Sequence, residues 1–302
     1  MDRYERLVRE ARPDLPLLVC KNREQIETFI AEADIIFSAH TFPGELVVKA
    51  RKLKWIQSMS AGVENFARSN LLPPNVVLTK IRGVFGPIMA EYVVGYILAI
   101  TQNMKKPFAN KERRRWEPFL VDSIRGKTVG VMGLGSVGAY IAYQVHLMGA
   151  LVIGLDEQEK RLPYVSKEYS PTEIEEFLGR PDFVVVTLPL TDTNEGLLGE
   201  RELAMMRESA YLMNVSRGPL VQEKALLKAL KQGSIAGAVL DVFHEEPLPR
   251  DHPLWDLDNV IITPHISGPS IPEDIAKIFI ENLKRFEEGK KLEGVVDHEK
   301  EY

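Results

Sequence analysis

Residues 126–138 read GKTVGVMGLGSVG, and this stretch decides the fold. A short apolar run leads into three glycines in the pattern GxGxxG, which are Gly133, Gly135 and Gly138. In that pattern the first glycine allows a tight turn, the second lets a pyrophosphate approach the backbone, and the third lets a helix pack closely on the strand. Ser136 and Val137 stand where the helix begins, and the first N–H groups of a helix can bind an anion. The stretch therefore predicts a strand, a turn and a helix that bind a dinucleotide.

The next predicted strand, residues 151–155, ends in Asp156. A carboxylate at this point of a dinucleotide-binding unit accepts hydrogen bonds from the hydroxyls of the adenosine ribose. A glycine-rich turn followed by an unrelated surface aspartate is the alternative, but strand, glycines, helix, strand and acid in this order favour an NAD site. Asp156 would repel the 2′-phosphate of NADP, although Lys160 and Arg161 follow closely and leave NADP open.

Outside this stretch, short apolar runs alternate with amphipathic segments along the 302 residues, a pattern that predicts an α/β fold with parallel sheets. The length suggests about two domains. We predict strands at residues 15–20, 34–38, 55–60 and 76–79 and helices at 23–32, 44–52 and 64–69 in the first, and strands at 127–132, 151–155, 183–188, 210–214, 235–242 and 260–262 in the second. Residues 89–116 resemble a helical bridge, and the helical tail at 272–291 fits either domain.

The composition excludes several classes of protein. Acidic residues number 43 and basic residues 38, so the net charge of −5 offers no general attraction for nucleic acid or an anionic membrane. Cys20 is the single cysteine, which excludes an internal disulfide and a Cys-rich metal site. No segment has the apolar core of a signal peptide or the length of a membrane span. We expect a cytoplasmic protein with no metal, membrane or nucleic-acid partner.

Four predicted strands are followed by candidate functional residues, at the sheet edge where open α/β sheets bind their ligands. Pro189 follows the strand at 183–188 in a turn that could equally be structural, and Val215 precedes Arg217 after the next strand. An arginine at the end of a buried strand must find an anion or solvent, because it keeps its charge. The last two strands are followed by glutamates at 245 and 246 and by His265. Arginine, glutamate and histidine facing one crevice would provide a carboxylate clamp, an acid/base and its partner, which suits hydride transfer.

The motifs of this chain and their order resemble those of the D-isomer-specific 2-hydroxyacid dehydrogenase family over nearly the whole length. The motifs are the three glycines, PLT at 189–191, NVSRG at 214–218, LDVF at 240–243, EP at 246–247 and TPH at 263–265. The resemblance implies two doubly wound parallel-sheet domains. We accordingly expect a Rossmann NAD-binding domain at residues 97–271, inserted in a flavodoxin-like substrate domain formed by residues 1–96 and 272–302.

The resemblance also implies roles for individual residues. Arg217, Glu246 and His265 would be catalytic, the glutamate before proline matching the family rather than Glu245. Protonated His265 would give a proton to the oxygen of a 2-oxo acid, with Glu246 holding its imidazole. Further contacts would come from Pro189, Val215, Asp241 and His265 to the coenzyme and from Ala61, Gly62 and Arg217 to the substrate.

We therefore expect an NAD(P)-dependent oxidoreductase that acts on a glyoxylate- or hydroxypyruvate-type 2-oxo acid. The resemblance also implies a homodimer, to which the apolar segment 89–104 would contribute. A second interpretation is an NAD(H)-sensing binding protein, because transcriptional corepressors similar to this family keep the fold and the catalytic residues. The sequence assigns no role to His40 or Tyr92.

Overall fold

The computed structural model describes residues 2–39, 42–63, 66 and 72–297. It consists of two compact units. The first unit contains Met1–Val84 and Pro269–Tyr302, and the second contains Phe85–Gly268. The expected boundary between residues 96 and 97 would fall inside a helix, Phe85–Thr101, that the second unit holds whole.

The second unit is built on a sheet of seven parallel strands. In chain order these are β4 (Thr128–Met132), β5 (Leu151–Leu155), β6 (Lys167–Tyr169), β7 (Phe183–Val186), β8 (Tyr211–Asn214), β9 (Gly237–Leu240) and β10 (Val260–Ile262). They are arranged β10-β9-β8-β7-β4-β5-β6, so the chain grows outward from β4 on one side and then from β7 on the other. This reversal of direction is that of a Rossmann sheet, and it places a ligand crevice beyond the carboxyl ends of β4 and β7. The short strand β6 had not been predicted.

Helices cover both faces of this sheet. Those of the described residues are α3 (Phe85–Thr101), α4 (Lys105–Glu112), α5 (Ser136–Leu147), α6 (Ile174–Leu178), α7 (Glu200–Met205) and α8 (Glu223–Gln232). Alternate residues of β4 belong to different cores: Val129 and Val131 pack with α3 and α5, whereas Met132 packs with α6, α7 and α8. Strands covered on both sides need apolar residues at nearly every position, which explains the continuous apolar runs in the sequence.

The first unit has a smaller parallel sheet, in the order β1 (Ile35–Ser38), β2 (Trp55–Ser58) and β3 (Val77–Thr79). Its described helices are α1 (Asp2–Ala11), α2 (Arg23–Phe29) and α9 (Pro272–Glu287). Trp55 at the start of β2 is fully buried and stacks on Phe279 of α9, with ring centroids 5.6 Å apart. The C-terminal helix therefore belongs to the core of this unit.

Two predictions for the first unit need correction. Residues 15–20 do not form a strand, because Pro13 and Pro16 lack the N–H groups that a ladder requires and Leu18 stays 65% exposed. Without that strand the described sheet shows no reversal of strand order. The segment predicted as a helix at 44–52 is a 3-10 helix over Gly44–Lys49. The helix predicted at residues 64–69 lies outside the described residues except for Phe66.

Candidate active site

The turn after β4 brings its three glycines into three different environments. Gly133 has φ +93°, a left-handed conformation that favours glycine, and its N–H donates to the carbonyl of Leu155 at 2.7 Å. A Cβ on Gly138 would lie 1.8 Å from the carbonyl oxygen of Gly133, so only glycine lets α5 approach β4 this closely. A Cβ on Gly135 would meet nothing within 4 Å. The space in front of Gly135, at the start of α5, is open to a ligand.

These environments predict opposite effects for two alanine substitutions. Gly138→Ala should lower the free energy of unfolding by about 1–3 kcal/mol, because the new methyl group overlaps fixed backbone. Gly135→Ala should leave stability unchanged but weaken NADH binding about tenfold, since it fills the open space. Urea unfolding and a fluorescence titration with NADH measure the two effects. Equal effects of both variants on binding and stability would contradict the assignment.

Asp156 lies at the end of β5 and fixes the glycine turn. Its carboxylate accepts the N–H of Leu134 at 2.7 Å and the N–H of Gln158 at 3.0 Å. The ammonium of Lys160 is 3.5 Å away. Because two backbone bonds hold the carboxylate, its position beside the turn is set before any coenzyme binds.

The loops that follow β7 and β8 are tied together by hydrogen bonds. Thr187 donates to the carbonyl of Gly133 at 2.7 Å, and Asn194 donates to the carbonyl of Pro189 at 2.8 Å. The hydroxyl of Ser216, next to Val215, donates to the carbonyl of Leu188. Pro189 and Val215 therefore lie at the same crevice edge as the glycine turn.

Arg217 is held through its backbone. Asn214 donates to its carbonyl at 2.8 Å, and its own guanidinium donates to the carbonyl of Ser216 at 2.7 Å. A Cβ on Gly218 would lie 2.1 Å from the carbonyl carbon of Phe243, so the loop after β8 presses directly on the loop after β9. The arginine side chain thus starts from a fixed point beside the loop that carries Glu246.

The loops after β9 and β10 bring His265 and Glu246 together. Nδ1 of His265 lies 2.8 Å from Oε2 of Glu246, and the other carboxylate oxygen accepts the N–H of Phe243 at 2.9 Å. A carboxylate only accepts hydrogen bonds, so this contact puts a proton on Nδ1. Nε2 is then the ring nitrogen that would exchange a proton with a ligand. The side chain of His265 is 44% and that of Glu246 36% exposed, which leaves both within reach of the crevice.

Asp241, which the resemblance assigns to the coenzyme, fastens the His265 turn. The carboxylate belongs to a fully buried residue and accepts the hydroxyl of Thr263 at 2.5 Å and the N–H groups of Ile266 and Ser267 at 2.9 and 2.8 Å. The N–H of His265 donates to the Asp241 carbonyl at 2.9 Å, and His265 has φ +52°. Surrounding bonds must hold a non-glycine residue in this conformation. Sequence reasoning gave no role to Thr263, because its bond to Asp241 joins residues 22 positions apart.

In the first unit, the segment that contains Ala61 and Gly62 follows β2 and is supported by buried polar groups. The Gln57 amide donates to the carbonyl of Ser58 at 2.9 Å and accepts from Asn282 of α9 at 2.9 Å. The Ser58 hydroxyl accepts the N–H of Ser60 at 3.1 Å. Sequence reasoning missed Gln57 and Asn282, because the two residues are far apart in the chain.

Three further features of the sequence concern His40, metal binding and membrane spans. His40 lies outside the described residues. Among residues 2–39, 42–63, 66 and 72–297, no three acidic, histidine or cysteine side chains are grouped so that they could hold a metal ion. Within the same ranges, every helix is too short or too polar to cross a membrane.

Known proteins are similar to this chain over most of its length. The domain family described as D-isomer specific 2-hydroxyacid dehydrogenase, NAD binding domain, matches residues 94–267. A glyoxylate reductase from Thermofilum pendens is 33% identical over 87% of this chain and 80% of its own length. A D-3-phosphoglycerate dehydrogenase from Methanocaldococcus jannaschii is 33% identical over 91% of this chain, which spans only 54% of that longer protein.

Solved structures extend the similarity to both units. A D-isomer specific 2-hydroxyacid dehydrogenase family protein from Aeromonas salmonicida superposes with a TM-score of 0.91 and 35% identity, covering 98% of this chain and 96% of that one. A glyoxylate/hydroxypyruvate reductase from Sinorhizobium meliloti, solved with NADP and sulfate, gives a TM-score of 0.89 and 27% identity, covering 100% and 96%. The Rossmann sheet, the motifs at its strand ends and these matches show that the chain belongs to the D-isomer specific 2-hydroxyacid dehydrogenase family of NAD(P)-dependent oxidoreductases.

Proposed function

We propose that the protein reduces a small 2-oxo acid of the glyoxylate or hydroxypyruvate type, with Arg217, Glu246 and His265 as its catalytic residues. The contact of 2.8 Å between His265 and Glu246, at the carboxyl edge of the Rossmann sheet, carries this proposal. The reductases from T. pendens and S. meliloti support the choice of substrate class.

The residues of the second unit fit a dinucleotide coenzyme. Gly135 leaves open space at the start of a helix of 12 residues, and its backbone is extended there with φ −67°. Asp156 accepts the N–H of Leu134 and would accept hydrogen bonds from a ribose, and Pro189 and Val215 border the same edge. The coenzyme, when bound, supplies or accepts the hydride. The second unit would therefore bind the coenzyme, and the first unit would contribute substrate contacts through Ala61 and Gly62.

The protein's own groups provide proton transfer and charge stabilisation. Glu246 holds the Nδ1 proton of His265, so that Nε2 can give its proton to the oxygen of the 2-oxo acid during reduction and take it back during oxidation. The Arg217 guanidinium can pair two N–H groups with the substrate carboxylate and carbonyl oxygens, which stabilises negative charge as it develops.

The test is an assay of NADH and NADPH oxidation with glyoxylate, hydroxypyruvate, pyruvate and a bulkier 2-oxo acid. We expect turnover with the smaller acids. Tight coenzyme binding without turnover of any acid in the panel would overturn the proposal and favour the NAD(H)-sensing interpretation.

For the coenzyme, we expect a preference for NADH over NADPH of at least about tenfold in kcat/KM. The reason is the Asp156 carboxylate, which would face a 2′-phosphate; Lys160 lies 3.5 Å from this carboxylate, and Arg161 is paired with Glu159. Asp156→Asn keeps an oxygen for the Leu134 N–H and should bring the two coenzymes close to parity. Glu200→Gln removes an equal charge from an exposed carboxylate paired with Lys228 and should leave the ratio unchanged. A wild-type preference for NADPH would contradict this prediction.

We also propose that the protein is a homodimer, with residues 104–121 in the interface. The buried residues Ala90, Val93 and Ile97 of α3 pack in the core of their own unit. Large apolar side chains after α3 are instead exposed, among them Phe108 (69%), Trp116 (99%) and Leu120 (95%). These exposed apolar side chains, close in sequence, are called the apolar cluster below, and exposed apolar surface of this kind favours a protein interface.

The expected result in analytical ultracentrifugation is a dimer of wild-type chains. Leu120→Glu, which places a charge in the apolar cluster, should shift the protein towards the monomer. Leu18→Glu is the matched control, because Leu18 is an exposed leucine (65%) of the first unit. A monomeric wild type, or equal effects of the two variants, would contradict the proposal.

A further inference from the structure

Tyr92 of α3 forms a hydrogen-bonded chain with the turn that carries His265. Its hydroxyl oxygen lies 2.6 Å from Oγ1 of Thr263, and the Thr263 hydroxyl lies 2.5 Å from Oδ1 of Asp241. Because the Asp241 carboxylate can only accept, Thr263 must donate its single proton to it. Tyr92 must then be the donor to Thr263. The direction of both bonds is thereby fixed from the helix to the carboxylate.

This series of hydrogen bonds ends at the carboxylate of Asp241, which depends on each of its hydrogen-bond donors. Asp241 is fully buried. Within the described residues its carboxylate accepts three hydrogen bonds, from the Thr263 hydroxyl and from the backbone N–H groups of Ile266 and Ser267. A buried charge that loses a donor is strongly destabilised unless its surroundings rearrange. The two N–H donors directly follow His265, so a rearrangement of Asp241 would move the imidazole.

Tyr92 is suited to remain a donor. Burial raises the pKa of its phenol, so the hydroxyl keeps its proton throughout the range in which the protein would work. Its ring packs against Tyr96 one turn further along α3, with centroids 4.5 Å apart. The ring of Tyr92 is therefore packed against its own helix, while its hydroxyl bonds to the turn.

We propose that Tyr92 is a positioning residue for His265, acting through Thr263 and Asp241. The inference rests on the proposed catalytic role of His265. Tyr92 does not touch the reacting groups in this scheme: it holds Thr263 as a donor, Thr263 holds Asp241, and Asp241 holds the left-handed turn at His265.

The first test is steady-state kinetics of glyoxylate reduction by NADH. Thr263→Val removes both hydroxyl bonds and should lower kcat about tenfold or more, with KM for glyoxylate changed by less than about threefold. Thr263→Ser keeps the hydroxyl and should restore most of kcat. Tyr92→Phe removes only the outer bond and should lower kcat by a smaller factor, about threefold.

Two matched controls separate positioning from the loss of a buried hydroxyl. Thr101→Val removes a buried hydroxyl from the same helix, where it bonds only to the carbonyls of Ile97 and Leu98. Tyr96→Phe removes a hydroxyl that has no hydrogen bond within the described part of the chain. Neither variant should change kcat. A fall in kcat for the controls as large as that for Thr263→Val would overturn the inference.

The second test does not need turnover. In amide hydrogen exchange of the protein without ligands, the peptide that covers the His265 turn should exchange about tenfold faster in Thr263→Val and not in Thr101→Val. If the wild type turns over no 2-oxo acid, the proposed function fails and the exchange result alone decides whether Tyr92 and Thr263 fasten the turn. If Thr263→Val does not fold, Tyr92→Phe decides by the same measurements. Unchanged kcat and unchanged exchange would overturn the inference.

Discussion

Replacing His265 by alanine is expected to lower kcat in both directions by roughly 10²–10⁴-fold, which is the usual contribution of a general acid or base. The imidazole is the group whose Nε2 would exchange a proton with the substrate, and its Nδ1 is already bonded to Glu246. Kd for NADH should change little, since the glycine turn and Asp156 lie at other strand ends. Kinetics with glyoxylate and with glycolate, together with a fluorescence titration of NADH, measure these effects.

His146→Ala is the matched control for this prediction, because His146 is an exposed histidine on α5. A second pair tests the partner of His265. Glu246→Gln replaces a group that can only accept by an amide that can also donate, so the Nδ1 proton is no longer fixed and kcat should fall about 10²-fold. Glu245→Gln should have little effect. If the two glutamine variants behaved alike, the pairing of His265 with Glu246 would not be the catalytic one.

Replacing Arg217 by lysine is expected to lower kcat/KM by about 10²-fold or more, comparable to the removal of one oxyanion donor. Lysine keeps the charge but cannot form two parallel hydrogen bonds with a carboxylate. The backbone of residue 217 is held by Asn214, so the substitution changes the side chain without moving the loop. Inhibition by oxalate, a planar dicarboxylate, should weaken in parallel.

Arg207→Lys is the control for Arg217, because Arg207 pairs with Asp182 by one hydrogen bond at 3.1 Å on an exposed surface of the same unit. It should leave kcat/KM unchanged. If Arg217→Lys lowered the melting temperature but left the kinetics of the folded protein intact, Arg217 would be a structural residue.

Local patterns in the sequence predict the Rossmann sheet well, because each element depends on residues close in the chain. The run of apolar residues before Gly133 and the acid after β5 are examples. The strand expected at residues 15–20 was wrong for an equally local reason, the two prolines within and beside it. The short strand β6 was missed since Lys167 and Glu168 give it no apolar periodicity.

Most of what supports the candidate site could not be predicted in this way. Thr263 reaches Asp241, and Tyr92 reaches Thr263, across 22 and 171 positions of the chain. Gln57 and Asn282 are 225 positions apart. Such bonds follow from packing, and no spacing in the sequence indicates them. The motifs indicated the candidate residues, whereas the tertiary structure shows which groups bond to Asp241.

The contact at Gly218 has a consequence for how substrate choice could change during evolution. The backbone after β8 lies against the Phe243 carbonyl with no room for a methyl group, and the His244 ring lies 2.9 Å from the carbonyl of Val221. Arg217 and Glu246 therefore lie on two loops that pack directly against each other. Selection for a longer or shorter acid cannot widen the distance between them gradually. Laboratory evolution towards new acids should recover its substitutions outside these two loops and retain glycine at position 218 in every active variant.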